Sequence, residues 1–298
     1  MSLVKKKTLL AGAIAAFMAT AAFSTSTLAL DPGYRAADPN NTLVIDTTKG
    51  QVIVELYPSL APNHVERMLT LTRQKFYDGL TFHRVIEDFM AQTGDPKGDG
   101  TGDSTLPNLT QEFITRRDAS FPMTVVQNPP GSVIGFVGAL PVQSQVNGLI
   151  PISNDGKVNV WGLYCQGVLG MAHSYDPNSG NSQFFIMRGA NSSLEKHYTA
   201  FGVVLTGLDV VRKLKIGEPP VNPDKMNTVR VLADIPEAER PQVEVMDTAS
   251  PQFQAVIDAV RKDKGSTFSD CDVTVPAKIL NAAPATADAK PAAPASGR

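Results

Sequence analysis

Cysteine and histidine are scarce in this chain: two cysteines, Cys165 and Cys271, and four histidines, His64, His83, His173 and His197. None of the six falls at the short spacings of a zinc site, so no metal is expected. Basic runs are also missing. Arg116-Arg117, and Arg212-Lys213 with Lys215, are too short and isolated to form a phosphate-binding stripe, so nucleic acid is not an expected partner. The chain has no Gly-x-Ser-x-Gly, which removes the best-marked hydrolase nucleophile. The glycine-rich stretch Gly94 to Gly102 lacks the Lys-Ser/Thr ending of a phosphate-binding loop and is followed by no helical pattern. Beyond the N-terminus, no segment is long and apolar enough to span a membrane.

What is present points to a strand-rich domain with appendages. Hydrophobic residues make up 42% of the 298, and 23 glycines and 22 prolines punctuate β-branched runs such as Leu43-Val44-Ile45 and Val52-Ile53-Val54. Short strands joined by turns account for that mixture better than helices do. The first 29 residues differ from the rest. Lys5, Lys6 and Lys7 precede an alanine-rich apolar stretch from Thr8 to Phe23, the outline of a secretory signal peptide. Small residues at Thr27 and Ala29 suit cleavage before Leu30, and Ala19-Thr20-Ala21 offers a second site. A retained anchor fits less well, because the run is short and broken by threonine and serine. Cleavage shifts the formal charge from −2 to about −5 and places the mature chain in the periplasm or outside the cell. There a disulfide can persist, so Cys165 and Cys271 either pair or remain two buried thiols.

After a lead-in over residues 30–41, Thr42 to Asp46 and Gln51 to Leu56 flank Thr47-Thr48-Lys49-Gly50, a hairpin signal. Val65, Met68, Leu69 and Thr72 recur at helical spacing over His64 to Gln74, with Asn63 as the expected N-cap. Strands are expected at Leu80–Ile86, Phe89–Thr93, Gly167–Ala172, Ser182–Met187 and Phe201–Leu205, a short helix at Leu208–Lys215, and a closing strand at Thr228–Ala233. Residues 120–162 are rich in Pro, Gly, Val and Asn and read as an insertion into a domain spanning 42–233. Trp161, the sole tryptophan, lies inside it. A C-terminal extension, 234–281, holds a second amphipathic stretch at Pro251 to Lys262, and the Ala/Pro tail 282–298 is expected to be disordered. No internal repeat is present.

The informative segments are Phe82-His83-Arg84-Val85-Ile86, Phe89-Met90-Ala91-Gln92 with Gly94-Asp95, Gly100-Thr101-Gly102, and Ser182-Gln183-Phe184-Phe185-Ile186. Alternate residues of a strand share a face, so Phe82 and Arg84 belong together, as do Met90 and Gln92, and Gln183 and Phe185. A cation and two amides thus sit beside apolar side chains. Alone, Arg84 reads as a salt-bridged strand residue and Phe89 or Phe185 as plain core. In this order and spacing, the segments resemble the signatures of the cyclophilin family from about Thr42 to about Ala233, the insertion excepted.

The resemblance implies a mainly β fold: a closed, eight-stranded antiparallel barrel capped by two short helices, with a proline pocket on its outer face and no cofactor. The implied activity is peptidyl-prolyl cis/trans isomerisation of proline-containing polypeptides by a monomer. Matched residue by residue, Arg84 is the catalytic position. Phe89, Met90, Phe185 and Leu194 form the pocket wall, Gln92 is the partner near the arginine, and His83, Ala172, His173 and Gln183 lie along the peptide groove. Tyr198 stands where many members carry a groove histidine. A rival reading keeps the groove as a chaperone or assembly module with little catalysis, but such a groove has no use for a donor aimed at the prolyl nitrogen.

One departure stands beside Leu194. Many members carry a tryptophan just before that position, and here it is Ser193. Cyclosporin-type macrocycles use that aromatic as a contact in sensitive members, so this protein should be inhibited weakly. An inhibitor titration showing tight, stoichiometric block would contradict the expectation.

Overall fold

A computed structural model describes residues 29–280. The expected signal segment up to residue 28 and the Ala/Pro tail lie outside the described residues. In chain order the elements are β1 (Tyr34–Ala36), β2 (Thr42–Thr47), β3 (Gly50–Leu56), α1 (Pro62–Arg73), β4 (Arg84–Ile86), β5 (Met90–Thr93), β6 (Thr115–Arg117), β7 (Thr124–Gln127), β8 (Ser132–Val137) and β9 (Leu140–Gln145). There follow β10 (Val158–Gly162), β11 (Val168–Met171), β12 (Phe184–Met187), β13 (Ala200–Thr206), α2 (Leu208–Arg212), β14 (Met226–Val231), β15 (Val243–Met246), α3 (Pro251–Lys264) and β16 (Ala277–Ile279). No described helix is long and apolar enough to cross a membrane.

Eight strands form one antiparallel sheet in the order β14-β2-β3-β13-β11-β12-β5-β4. The expected hairpin is its start, with Thr47 paired to Gly50 and Thr42 to Glu55. The expectation of a closed barrel with two caps is corrected here: the sheet curls but stays open, because β14 and β4 share no ladder. Only isolated bridges, Thr81 to Lys225 and Val85 to Gly217, span the gap. The physical cause lies in the segment 215–225. It carries Pro219, Pro220 and Pro223, which have no N–H to donate and so cannot continue a ladder. There are also more helices than two caps: α3 lies apart from α1 and α2, and six short 3-10 turns accompany them.

The sheet has two apolar faces. Its inner face packs Leu43, Val54, Val85, Ala91, Phe184, Ile186 and Phe201 against Val65, Met68 and Leu71 of α1 and Val210 and Val211 of α2. On the outer face, Met90, Phe185, Met187 and Val203 meet Phe136, Leu140 and Val160 from the inserted region, Tyr164 just after it, and Phe253 and Ile257 of α3. The inserted strands β7 to β10, with β6 just before them, build a second antiparallel sheet, β6-β10-β9-β8-β7, and β1 joins β15 and β16 in a third. Burial of that second face is what the added segments contribute, since an exposed apolar sheet face of this size would invite association.

Polar groups fasten these layers. Glu55 on β3 is only 3% exposed and accepts from both terminal nitrogens of Arg35, at 2.7 and 2.6 Å, and from the Tyr57 hydroxyl. Tyr57 in turn accepts from the Ala139 N–H at 2.7 Å. Lead-in, sheet and inserted hairpin are thereby joined at one buried carboxylate, whose partners satisfy it as burial requires. Cys165 and Cys271 are disulfide-bonded with Cα atoms 5.0 Å apart. Their separation of 106 residues closes a long loop, which on the chain-entropy account is worth about 4 to 5 kcal/mol.

Asn63 is not the cap of the first helix. The helix begins at Pro62, with Ala61 in the cap position and no side-chain cap from it. Pro62 favours that start because its φ is already helical and its missing N–H would lack an intrahelical partner anyway. The orphan N–H groups of Asn63 and His64 are taken instead by Glu112, at 3.2 and 3.1 Å. A carboxylate there also suits the positive end of the helix.

Candidate active site

The site grows from strand register. Arg84 on β4 pairs with Gln92 on β5, Gln92 with Phe185 on β12, and Phe185 with Gly170 on β11. Residues directly opposite in antiparallel strands project to the same face. A guanidinium, an amide, an aromatic ring and a glycine therefore form one row across the outer face. Gly170 is needed in that row, because a Cβ there would lie 2.3 Å from Phe185 Cζ. The Phe185 ring thus lies over the neighbouring strand, with Tyr164 stacked at 5.9 Å and Tyr198 edge-on at 5.7 Å.

Arg84, Phe89, Met90, Gln92, Ala172, His173, Phe185, Leu194 and Tyr198 line one pocket of about 140 Å³. The aromatic and aliphatic members make its floor and sides, and Arg84 and Gln92 supply its polar rim. Two further hollows adjoin it through Gln92. One, of about 250 Å³, is lined by Ala172, His173, Gln183, Asp103 and Asn108 among others. The other, of about 440 Å³, is lined by His83, Arg84, Asp99, Gly100 and Glu218 among others. The structure thus brings the sequence-derived residues around adjoining hollows, with His83 and Gln183 both beside Gly100.

Hydrogen bonds fix the polar rim. Gln92 Nε2 donates to Gln183 Oε1 at 2.9 Å, and Gln183 Nε2 donates to the carbonyls of Gly100 and Gly102. This relay turns the Gln92 carbonyl away from Gln183 and leaves it able to accept from a bound peptide. The glycine loop itself wraps a buried carboxylate: Asp95, 1% exposed, accepts from the N–H groups of Lys97, Asp99 and Gly100. Gly102 closes against it, where a Cβ would meet Asp95 Oδ1 at 2.1 Å. The loop's glycines thus serve a carboxylate of the chain itself and not a phosphate.

Tyr198 stacks on His173 at 4.4 Å. The two ring nitrogens of His173 lie 2.7 and 2.8 Å from the carbonyl oxygens of Ser174 and His197, so that ring is a fixed wall. Ser193 is bound to Asn191, through both its N–H and its hydroxyl, and leaves that side of the pocket open. Arg84, 40% exposed, gives its Nε to Glu218 Oε2 at 2.6 Å. Sequence reading missed Glu218, which lies 134 residues away with no local signal. It also missed Gly170, although a glycine inside an expected strand is a signal of close approach.

His83 is 5% exposed, and neither ring nitrogen has a hydrogen-bond partner among the described residues. Burial holds its pKa below the ordinary histidine value, opposed by the Asp95 carboxylate. The folded chain therefore binds this proton less readily than the unfolded chain does. Stability attributable to His83 is complete above the unfolded value and drains away as pH falls from there through the lowered folded value. Urea unfolding at pH 7.5 and pH 5 should show a larger loss for the parent than for His83→Gln. Equal losses would remove His83 from the acid response.

Comparison with known proteins agrees with this geometry. Residues 42–232 match the family described as cyclophilin type peptidyl-prolyl cis-trans isomerase/CLD. A probable peptidyl-prolyl cis-trans isomerase from Brucella suis is 34% identical over 233 residues, covering 73% of this chain and 95% of its own. The Brucella abortus counterpart has the same identity and coverage. The crystal structure of a cyclophilin from Hirschia baltica superimposes with a TM-score of 0.76 at 36% identity, covering 83% of this chain and 93% of its own. That share exceeds the family-matched segment, so the likeness extends beyond the isomerase domain. The chain belongs to the cyclophilin-type peptidyl-prolyl cis-trans isomerases, enzymes acting on proline-containing polypeptides.

Proposed function

We propose that Arg84 is the group that accelerates X-Pro rotation in this enzyme, with the prolyl ring held by Phe89, Met90, Phe185 and Leu194. The observation that carries the reading is the row Arg84–Gln92–Phe185 on adjacent strands, which sets a cation donor at the rim of an apolar pocket. Amide resonance opposes rotation with a barrier of about 18–20 kcal/mol, so X-Pro bonds isomerise unaided over roughly tens to hundreds of seconds. In the twisted state the prolyl nitrogen becomes pyramidal and regains its lone pair. A guanidinium donor then binds that state better than either planar one, which is what lowers a barrier. The pocket keeps the ring still while the preceding carbonyl turns, and Gln92 and the backbone near Ala172 hold the flanking peptide. Rotation breaks no covalent bond, so the step needs no nucleophile and no net proton transfer.

For a short Xaa-Pro peptide, Arg84→Ala should lower kcat/KM by roughly a hundredfold to a thousandfold, with the fold retained by circular dichroism. A well-folded parent that gives no acceleration would return the groove to the class of binding modules. Full activity in the Arg84→Ala variant would remove the arginine from the mechanism.

The substrates we infer are exported polypeptides, met in the periplasm or outside the cell by a monomer that assists their folding and does not bind nucleic acid. The N-terminal signal pattern supports export, and the Cys165–Cys271 bridge is of the kind that persists in oxidising compartments. A monomer is favoured because the chain's own inserted region and α3 already cover the outer apolar face. Cells producing the full chain should yield it in the periplasmic or extracellular fraction, without reactive thiols under non-reducing conditions. Recovery from the cytoplasm as the free dithiol would overturn the export reading.

A further inference from the structure

The break in the sheet places an acidic residue directly against Arg84. Val85 and Gly217 exchange both backbone hydrogen bonds, at 2.8 and 2.9 Å, in an antiparallel bridge. In that register the residue before Val85 stands opposite the residue after Gly217, so Arg84 faces Glu218 on the same side. The side chains meet there, Arg84 Nε to Glu218 Oε2 at 2.6 Å. Nη1 and Nη2 of Arg84 make no hydrogen bond to any described residue, so the contact holds the stem side of the guanidinium and leaves its outer edge for a ligand.

The segment bearing Glu218 is itself fixed. A Cβ on Gly217 would lie 2.5 Å from Pro220 Cα and 2.9 Å from the Pro219 carbonyl oxygen, so the turn closes only with glycine. Asp224 accepts from the Lys215 N–H at 2.9 Å and the Thr48 hydroxyl at 2.7 Å, and its own carbonyl accepts from Phe82 N–H at 2.9 Å. Both ends of the segment are therefore tied to the sheet.

We propose that Glu218 is a positioning residue for the isomerisation: it holds Arg84 by Nε so that the outer edge of the guanidinium addresses the prolyl nitrogen. The proposal rests on the role assigned to Arg84 above. Both partners are substantially exposed, at 40% and 53%, and an exposed pair of this kind adds little to stability. Water also limits how far the carboxylate cancels the cation. What remains is geometry: an arginine on a three-residue edge strand has many rotamers, and a carboxylate fixed in the free enzyme removes the wrong ones before substrate arrives.

The test is a double-mutant cycle on an Xaa-Pro peptide, with residual rates read by exchange spectroscopy at high enzyme concentration. Glu218→Ala should lower kcat about tenfold, within the range that misplacement of a reacting group produces, with KM changed little. Glu218→Gln should recover most of the loss, because its amide oxygen still accepts from Nε. In the Arg84→Ala background, Glu218→Ala should cost nothing further. An unchanged or faster Glu218→Ala enzyme overturns the proposal, and so does an equal loss in the Arg84→Ala background. If Arg84→Ala alone collapses activity while Glu218→Ala does not, the role of Arg84 stands and only that of Glu218 falls. If Arg84→Ala is fully active, both fall together.

Discussion

Everything in this molecule that bears on catalysis depends on the register of four antiparallel strands, β4, β5, β12 and β11. Side chains alternate between faces, so a slip of one residue would exchange the pocket row for core residues. Arg84, Gln92 and Phe185 would turn inward, and Val85, Ala91 and Ile186 outward. The inner cluster forbids this, because Val85, Ala91, Phe184 and Ile186 are each at most 1% exposed among α1 side chains. Core packing on one face therefore sets the chemistry on the other. The Arg84 side chain, proposed above as the catalytic group, can stand 40% exposed and still be well placed, because its strand neighbour Val85 is wholly buried.

The open sheet follows from the same economy. A fully closed barrel would carry ladder pairs between β4 and β14, and each would occupy a backbone group beside Arg84. The proline-bearing segment 215–225 replaces those pairs with two bridges, and its side chains reach places a regular strand would not offer. Glu218 beside Arg84 is one result. Asp224, drawing together Thr48, Lys215 and Lys49, is the other, and it secures the edge that closure would have secured.

The sequence makes some of this plain and hides the rest, for physical reasons. The hairpin at Thr47 to Gly50, the first helix and the alternation in Ser182 to Ile186 are local patterns, set within a few residues by turn chemistry and side-chain period. Phe82, expected on one face with Arg84, instead joins Val85 in the inner cluster, because the strand begins only at Arg84. The residues matched by motif order lie together around adjoining hollows, because motif order carries spatial information that spacing alone does not. Closure is not legible locally, because it depends on whether two edges meet, a long-range fact decided by Pro219, Pro220 and Pro223. Glu112 as the cap of α1 and Glu218 as the partner of Arg84 were invisible, since each acts across a gap in sequence that no periodicity spans. Gly170 could have been found: a glycine inside a strand pattern asks what lies above it, and the answer is the Phe185 ring.

The added segments do more than cover apolar surface, because they also support the pocket wall. Tyr164, just after the inserted region, stacks on Phe185, and its carbonyl accepts from the Asn191 N–H. Trp161 lies beneath the Lys196 ammonium, 3.8 Å from its centroid. Both contacts bear on the turn that presents Leu194 and Tyr198. Cys165, next to Tyr164, is bonded to Cys271, which ties this support to the C-terminal extension. At Ser193 the pocket has only a small side chain, bound to Asn191. The ring cluster of Tyr164, Phe185, Tyr198 and His173 supplies rigidity to the pocket, and its own anchor is the disulfide-tied layer behind it. The inserted region and the extension are thus mechanically part of the isomerase site, although neither contributes a residue to the central pocket.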